Sequence, residues 1–567
     1  MSSSARKAKA AKANAKASAR ANATEKKAAA EWAAADGWGP GTAGEAPPWT
    51  RSVFLALALS SVLLLTLRLY ATSVVGFGDS EALYASWALH EQPAFLDHPG
   101  LIGVIARLIG EGAVPTAVRV HAVTSIGATL VPWCAFGTAR AFGLDRGRSA
   151  IAGLIIAVIP ETAVGLFGLT PDLLLAPAWL GTLALAAIGM RSPARSNRSA
   201  AAFIAAGLLA GIACSAKVSG LLLLGALIVT YAWISLSKPA GENASSSDEE
   251  SLDYARSAVR TVWPWAGIVA GLVILVPIVL YEMKTGWPMV RHRFVDTQTG
   301  AGVALRNVGT LLGGQLAYLS PIFALFAILA ARDLVRERSR DALSRLLFLA
   351  FAVPVVPLLA LCLWSPVAEP HWIAPALLVL PLHAARRIGS GNIASRRGFI
   401  AATSLAAVLT LVAHAWVLIP QSARLLPASA DPKLDIASEL YGWPNVLEAV
   451  KEQMASAGTA FDPEGREVVV VGPHWTVCAQ LHAGLPGIRV GCATPVHDDF
   501  DRWLPREEWR RAEHVLFVTD NRFPGDGAEQ LPAHVRTAQG RVRVMRGGKT
   551  SRVFQLFLYD RRAQGSL

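Results

Sequence analysis

From about residue 52 to about residue 420 the chain is a ladder of apolar runs separated by short polar turns. A helix crossing the hydrocarbon core needs about 20 apolar residues, and inside that core every backbone N–H and C=O must be satisfied within the protein, which leaves helices as the fold for such runs. The runs lie near 52–75, 115–139, 149–168, 172–190, 200–216, 218–236, 263–281, 309–331, 346–364, 372–384 and 398–420, about eleven spans, several of them short or interrupted by proline. Composition agrees: 53% of residues are apolar and 17% charged, whereas soluble domains carry about 25% charge. The expected fold is a polytopic α-helical membrane protein.

A net charge of +12 could suggest a polyanion partner, but the basic residues sit in an N-terminal tail and in alternate loops, so nucleic acid is not expected. Residues 1–48 are Ala/Lys/Ser-rich, with Arg6, Lys7, Lys9, Lys12, Lys16, Arg20, Lys26 and Lys27, and no apolar face, as in a flexible basic cytoplasmic tail. The tail is too long for a signal peptide, and the run after it is of spanning length, so that run is read as a retained anchor. Every second loop is then basic, through Arg140/Arg146/Arg148, Arg191/Arg195/Arg198, Lys238/Arg256/Arg260, Arg332/Arg336/Arg338/Arg340 and Arg386/Arg387/Arg396/Arg397. By the positive-inside rule these loops are cytoplasmic, and the protein is expected in a bacterial-type inner membrane.

The remaining loops, on the external or periplasmic side, are polar, aromatic and marked by proline. They are the first external loop (76–112), Leu169-Thr170-Pro171-Asp172, Ala216-Lys217-Val218-Ser219, Gly286 to Phe294, and Ser365 to Trp372. Residues 49–420 form the transmembrane unit, and residues 421–567 are expected as a soluble α/β domain on the same external side. Its strands are read at 467–472, 488–490, 514–519, 541–545 and 553–559, with a helix over 475–482. No Gly-rich nucleotide fingerprint occurs there; the proline of Gly472-Pro473-His474 removes an N–H that phosphate binding would use. Cys134, Cys214 and Cys362 lie in apolar runs, leaving Cys478 and Cys492 as the pair able to meet in a soluble region.

The first external loop holds the densest chemistry. Asp79 and Glu81 open a short amphipathic helix with Tyr84 and Trp87; either acid could cap it, but carboxylates shielded by lipid and aromatics also suit a general base. Asp97-His98-Pro99 closes the loop, with His98 an N–H donor or a cation towards an anionic group. Lys217 either snorkels to headgroups or contacts phosphate. Arg291, His292 and Arg293 lie outside, against the charge rule, where they can face headgroups or hold an anionic group by charge-assisted hydrogen bonds. Glu369 and His371 flank Pro370 as supporting residues, and Asp172 reads as a cap.

The runs Asp79-Ser80-Glu81-Ala-Leu-Tyr84 and Phe95-Leu96-Asp97-His98-Pro99-Gly100-Leu101 together resemble the first external loop of the GT-C membrane glycosyltransferases, of the aminoarabinose-to-lipid A transferase and protein O-mannosyltransferase type. Thr170-Pro171-Asp172, Ser215-Ala216-Lys217, Gly313-Gly314-Gln315-Leu316 with Ser320-Pro321, and Glu369-Pro370-His371-Trp372 with Ala374-Pro375 follow in order. The resemblance covers roughly 52 to 420. It departs at Ser80, where the family has the first of two adjacent acids, and at Gly100, where it has a second proline. It implies inverting transfer of a sugar from a polyprenyl-phosphate donor to an acceptor hydroxyl of a lipid, glycan or protein on the external face. Asp79 and Glu81 then stand as the catalytic acids, Asp97 and His98 at the acceptor and phosphate site, and Lys217, Arg291 and Arg293 at the donor phosphate, supported by Tyr84, His292, Glu369 and His371. No obligatory metal is expected, although carboxylates near His98 could take a divalent ion. The rival readings are a transporter or flippase of lipid-linked substrates and a non-catalytic relative. A transporter would want ionisable groups along the spans, and Arg68, near an outer end, is expected to snorkel.

Overall fold

The computed structural model describes residues 49–237, 247–387, 396–427, 431–456 and 468–562; the expected basic tail lies outside the described residues. Among the described residues, seven helices are long and apolar enough to cross a membrane: Thr50–Ala71, Ala117–Ala141, Pro171–Met190, Asn197–Ala216, Trp263–Thr285, Ala342–Trp364 and Arg396–Leu418. An eighth comes from Leu305–Leu319 and Pro321–Arg336 if that pair, bent by 104°, is counted as one span. Gly220–Leu236 is a shorter apolar helix. The protein is a multi-pass membrane protein.

Proline explains where the expected spans divide. The run 149–168 becomes Arg146–Val158 followed by the one-turn helix Pro160–Ala163, and the run 372–384 becomes Pro370–Ile373, Ala374–Leu377 and Leu380–Arg387. Proline lacks the N–H that continues a helix but suits a first turn, so each such break starts a new segment. At Ser320 the backbone takes φ +72°, which produces the bend before Pro321. Gln315 donates to the Pro370 carbonyl (2.8 Å), and a Cβ on Gly314 would lie 2.4 Å from that of Pro370. The Gly313-Gly314-Gln315 motif therefore seats the loop that carries His371.

Small residues set the closest helix packing. A Cβ at Gly207 would lie 1.8 Å from the Gly267 carbonyl oxygen, and one at Gly211 would lie 2.6 Å from that of Gly271. Helices Asn197–Ala216 and Trp263–Thr285 thus touch backbone to backbone, as small residues four apart permit in membranes. Arg68 does not snorkel. It is 2% exposed and donates to the carbonyls of Thr162 (3.2 Å) and Ala163 (2.8 and 3.2 Å) and to Thr129 Oγ1 (3.0 Å).

The loop after the first span runs through Asp79–Ser86, a 3₁₀ turn at Trp87–Leu89 and a bridge between Ala94 and Pro99 into Leu101–Ile109. Gly100 is required by a close approach, since a Cβ there would lie 2.4 Å from the Gln92 carbonyl oxygen. The C-terminal part is a mixed five-stranded sheet of β1 (Val468–Gly472), β2 (Val490–Cys492), β3 (His514–Asp520), β4 (His534–Arg546) and β5 (Lys549–Arg561), in the order β2-β1-β3-β5-β4. β1 is parallel to β2 and β3, while β5 is antiparallel to β3 and β4. A disulfide joins Cys478, on the helix Trp475–Gly484 after β1, to Cys492 at the end of β2, with their Cα atoms 5.9 Å apart. Disulfides persist on the oxidising side of a membrane.

Candidate active site

The sheet domain grips the loop after the first span at three places. At the start of the loop, Arg522 Nη1 donates to Asp79 Oδ2 (2.7 Å) and Gln480 Nε2 to Asp79 Oδ1 (3.2 Å). Gln480 also donates to the Phe77 carbonyl (2.8 Å), and the Gly76 N–H donates to the Leu440 carbonyl (2.8 Å). Arg522 is itself oriented by Asp520, which also takes Arg552, so the acid and its partner belong to a buried charge chain. Burial, and Asp79 beside it, push Glu439 up to about 7. In the middle of the loop, His90 Nε2 meets His482 Nε2 at 3.2 Å, and the His90 ring stacks on Trp503 at 3.8 Å. Burial lowers His90 to about 4 and, with His90 adding, His482 to about 3, so both rings are neutral near pH 7. At the end of the loop, the Leu96 N–H donates to both carboxylate oxygens of Asp499 (3.2 Å each).

Asp79 and Glu81, expected as the catalytic acids, are thus both engaged. Glu81 accepts from its own N-cap Gly78 N–H (3.2 Å), from the Leu169 N–H (2.9 Å) and contacts His121 Nε2 (2.9 Å), a ring with no exposure. Neither acid lines the large cavity of the transmembrane part. That cavity, of about 540 Å³, has a body of Ile155, Ile156, Leu175, Phe323, Phe326 and Leu377, with Glu161, Thr162, Thr170, Asp172, Tyr318 and His371 as its polar groups.

Of the remaining expected residues His371 lines this cavity, Lys217 reaches it through Asp172, and Tyr84, Asp97, His98, Arg293 and Glu369 lie close to these. Lys217 Nζ donates to both oxygens of Asp172 (2.9 and 2.8 Å), so Asp172, expected as a cap in the first turn of Pro171–Met190, is an ion-pair partner as well. Arg293 donates to the Asp97 carbonyl (3.1 Å) and carboxylate (3.3 Å), lies over the Trp372 ring at 5.0 Å, and has His292 on the same carboxylate at 3.9 Å. Glu369 pairs with His371 Nδ1 at 3.1 Å. That hydrogen bond holds Glu369 below the usual carboxylate range against the opposing effect of burial, with Lys217 and Arg293 adding to the lowering. His98 is not a cation: burial, then Arg293, Lys217 and His371, push it well below its ordinary value, and its Nδ1 is buried without a partner. Tyr84 packs beside it at 6.0 Å, raised well above its ordinary value by burial and by Asp97 and Asp172. Arg291 stands apart, its side chain 72% exposed and paired with Asp296. Among the described residues, no three His, Cys, Asp or Glu side chains come together to hold a metal ion.

Neither a family model nor a curated protein sequence matches the chain. Among solved structures, ArnT from Cupriavidus metallidurans bound to undecaprenyl phosphate superposes with a TM-score of 0.54 at 14% identity, over 89% of this chain and 97% of that one. Its apo state gives 0.53 at 15%, over the same shares. The fold is that of the GT-C membrane glycosyltransferases. Archaeoglobus fulgidus AglB, an oligosaccharyltransferase in complex with an inhibitory peptide and a dolichol-phosphate, aligns at 13% identity over 85% of this chain and 70% of that one, with a TM-score of 0.49.

Within this GT-C fold the structure adds residues that the sequence alone does not single out. Glu161 lies inside an apolar run, where an acid is itself a signal of function, but the run hides which way it faces. His121, Gln480, Asp499 and Arg522 matter through contacts with residues far away in sequence, and no local motif marks them.

Proposed function

We propose that this protein transfers a sugar from a polyprenyl-phosphate donor to an acceptor hydroxyl at the external face of the inner membrane, with inversion. The observation that carries this reading is a cavity, in a GT-C fold, whose body is apolar and whose polar lining includes Asp172 and His371, with Lys217 held on Asp172 and Arg293, Asp97, His98 and Tyr84 close by. An isoprenoid tail fits the first character. A phosphodiester-linked sugar head fits the second, because the leaving phosphate keeps its charge as the glycosidic bond breaks and cations offset it. The undecaprenyl phosphate bound by the similar ArnT is a ligand of this chemistry. Asp97 orients Arg293, and neutral His98 offers a hydrogen bond in place of a charge. Asp79 and Glu81 hold the loop that presents these groups. The acceptor is a lipid, glycan or protein hydroxyl arriving from outside.

The test is release of labelled sugar from a panel of undecaprenyl-phosphate-linked pentoses and hexoses, using purified protein in detergent with membrane-extract acceptors. Turnover by the wild-type protein that is lost in Lys217→Ala supports the reading. A wild-type protein that consumes none of the donors and is not stabilised by undecaprenyl phosphate rejects it.

A further inference from the structure

A buried polar atom that finds no partner within its own protein marks a place where a ligand can complete the hydrogen bond. The cavity lining carries such groups beside the cations. Thr170 stands at the N-cap of the helix Pro171–Met190, where a threonine hydroxyl ordinarily takes one of the first free N–H groups. Here it makes no cap bond: Oγ1 is buried without a partner, and the residue lines the cavity. Tyr318 and Glu161 line the same cavity, and among the described residues no hydrogen bond engages the Tyr318 hydroxyl or the Glu161 carboxyl. Glu161 is within electrostatic reach of Asp172 and of Lys217, which pairs with that aspartate, and Tyr318 is within reach of Glu161 and Glu369. A phosphate held at Lys217 therefore brings the sugar bonded to it close to all three.

Their positions are also built. Pro160 opens the one-turn helix Pro160–Ala163 that carries Glu161, and the buried guanidinium of Arg68 fastens the Thr162 and Ala163 carbonyls at the other end. Tyr318 stands just before the bend at Ser320, on the helix whose Gln315 holds the Pro370 carbonyl. Groups fixed by their surroundings meet a ligand's polar atoms in one arrangement, which is what discrimination requires.

We propose that Glu161, Thr170 and Tyr318 read the hydroxyl groups of the donor sugar and so decide which sugar is transferred; the proposal rests on the glycosyltransferase reading above. The three groups match a polyhydroxylated ring. A carboxyl oxygen accepts from a sugar hydroxyl, the phenol donates to one, and the threonine hydroxyl does either. None of them is a cation, so their contribution falls on the sugar and not on the phosphate. A donor without a contacted hydroxyl leaves a buried polar group unpaired, and a site built on such contacts rejects the analogue far more strongly than one built on apolar shape. The substrate class is a sugar with free hydroxyls at the contacted positions, and one deoxygenated there is excluded.

The test uses the undecaprenyl-phosphate sugar that the wild type consumes fastest, together with its monodeoxy analogues, and compares kcat/KM in wild type, Glu161→Met, Thr170→Val and Tyr318→Phe. Thermal stabilisation by undecaprenyl phosphate is followed in parallel. The wild type is expected to prefer the parent sugar over at least one monodeoxy donor by about 100-fold or more, well within what hydrogen-bonded readout supplies. In Glu161→Met, and in at least one of the two hydroxyl variants, that preference should fall by about 10-fold or more, because the parent donor slows while the deoxy donor does not, with the stabilisation kept. A wild type that treats every monodeoxy donor like the parent overturns the proposal. So do variants that keep the wild-type preference, that slow parent and deoxy donors equally, or that all lose stabilisation by undecaprenyl phosphate. A wild type that consumes no donor rejects the parent reading instead, and the sugar assignment with it.

Discussion

Replacing Arg522 with methionine isolates the contact that ties the sheet domain to the membrane part. The guanidinium is 8% exposed and the Asp79 carboxylate 4%, at 2.7 Å. Methionine removes the charge and leaves similar bulk. Asp520 keeps Arg552, but Asp79 is left buried with the Gln480 amide and the Glu439 carboxyl and no cation. Removing one partner of a buried pair costs about 3–5 kcal/mol. The other ties of the loop, at Asp499 and at the two histidines, remain, so the cost falls on local opening of its first turn. At about 1.4 kcal/mol per tenfold, the lower figure corresponds to an opening equilibrium raised roughly 100-fold. Hydrogen–deuterium exchange of peptides covering 76–86, in detergent, reads this directly: Arg522→Met should exchange about 100-fold faster there, and Arg522→Met with Asp79→Asn should recover much of the protection because no charge is stranded. Wild-type exchange in the single variant would refute the reasoning.

Three further outcomes follow from particular contacts. Gly207→Leu drives a side chain into the Gly267 backbone and should separate two transmembrane helices, lowering thermal stability by more than about 3 kcal/mol, the upper range for overpacking; a wild-type melting temperature would contradict that packing. The His90–His482 contact should weaken in acid. Both rings have folded-state values below the unfolded 6.5, at about 4 and about 3, so the opened state binds more protons and the contact loses stability as pH falls from about 6.5 towards 4. Exchange of peptides 87–98, corrected for intrinsic chemistry, should rise over that range in wild type but not in His90→Asn/His482→Asn, and equal pH responses would contradict the assignment. Lys217→Ala removes a cavity-side cation and strands Asp172; thermal stabilisation by undecaprenyl phosphate should disappear, and undiminished stabilisation would show that the lysine serves the ion pair alone.

Much of the architecture is legible in the sequence because it depends on local pattern. The apolar period marks the helices, and the valine-rich runs mark β1 and β3 at nearly the expected bounds. The charged and aromatic loop residues Tyr84, Asp97, His98, Lys217, Arg293, Glu369 and His371 do fall in one electrostatic neighbourhood. The span count is less legible, since a proline within an apolar run can either kink one helix or divide it, and here Pro160, Pro321 and Pro375 divide. The buried partner of Asp79 is not legible at all, because Arg522 lies 443 positions away. Glu161 is concealed for the opposite reason, as a single acid in a run whose hydrophobicity argues for lipid rather than for a cavity.

The central claim is that the cavity beside Lys217 and Arg293 receives a polyprenyl phosphate. A diazirine-bearing undecaprenyl phosphate, photolysed with the purified protein and mapped by mass spectrometry, tests it most directly. The account predicts labels on the cavity walls, at Phe323, Phe326 and Leu175, competed away by unlabelled undecaprenyl phosphate. Labels confined to the outer surfaces of the spans, unaffected by competitor, would contradict it.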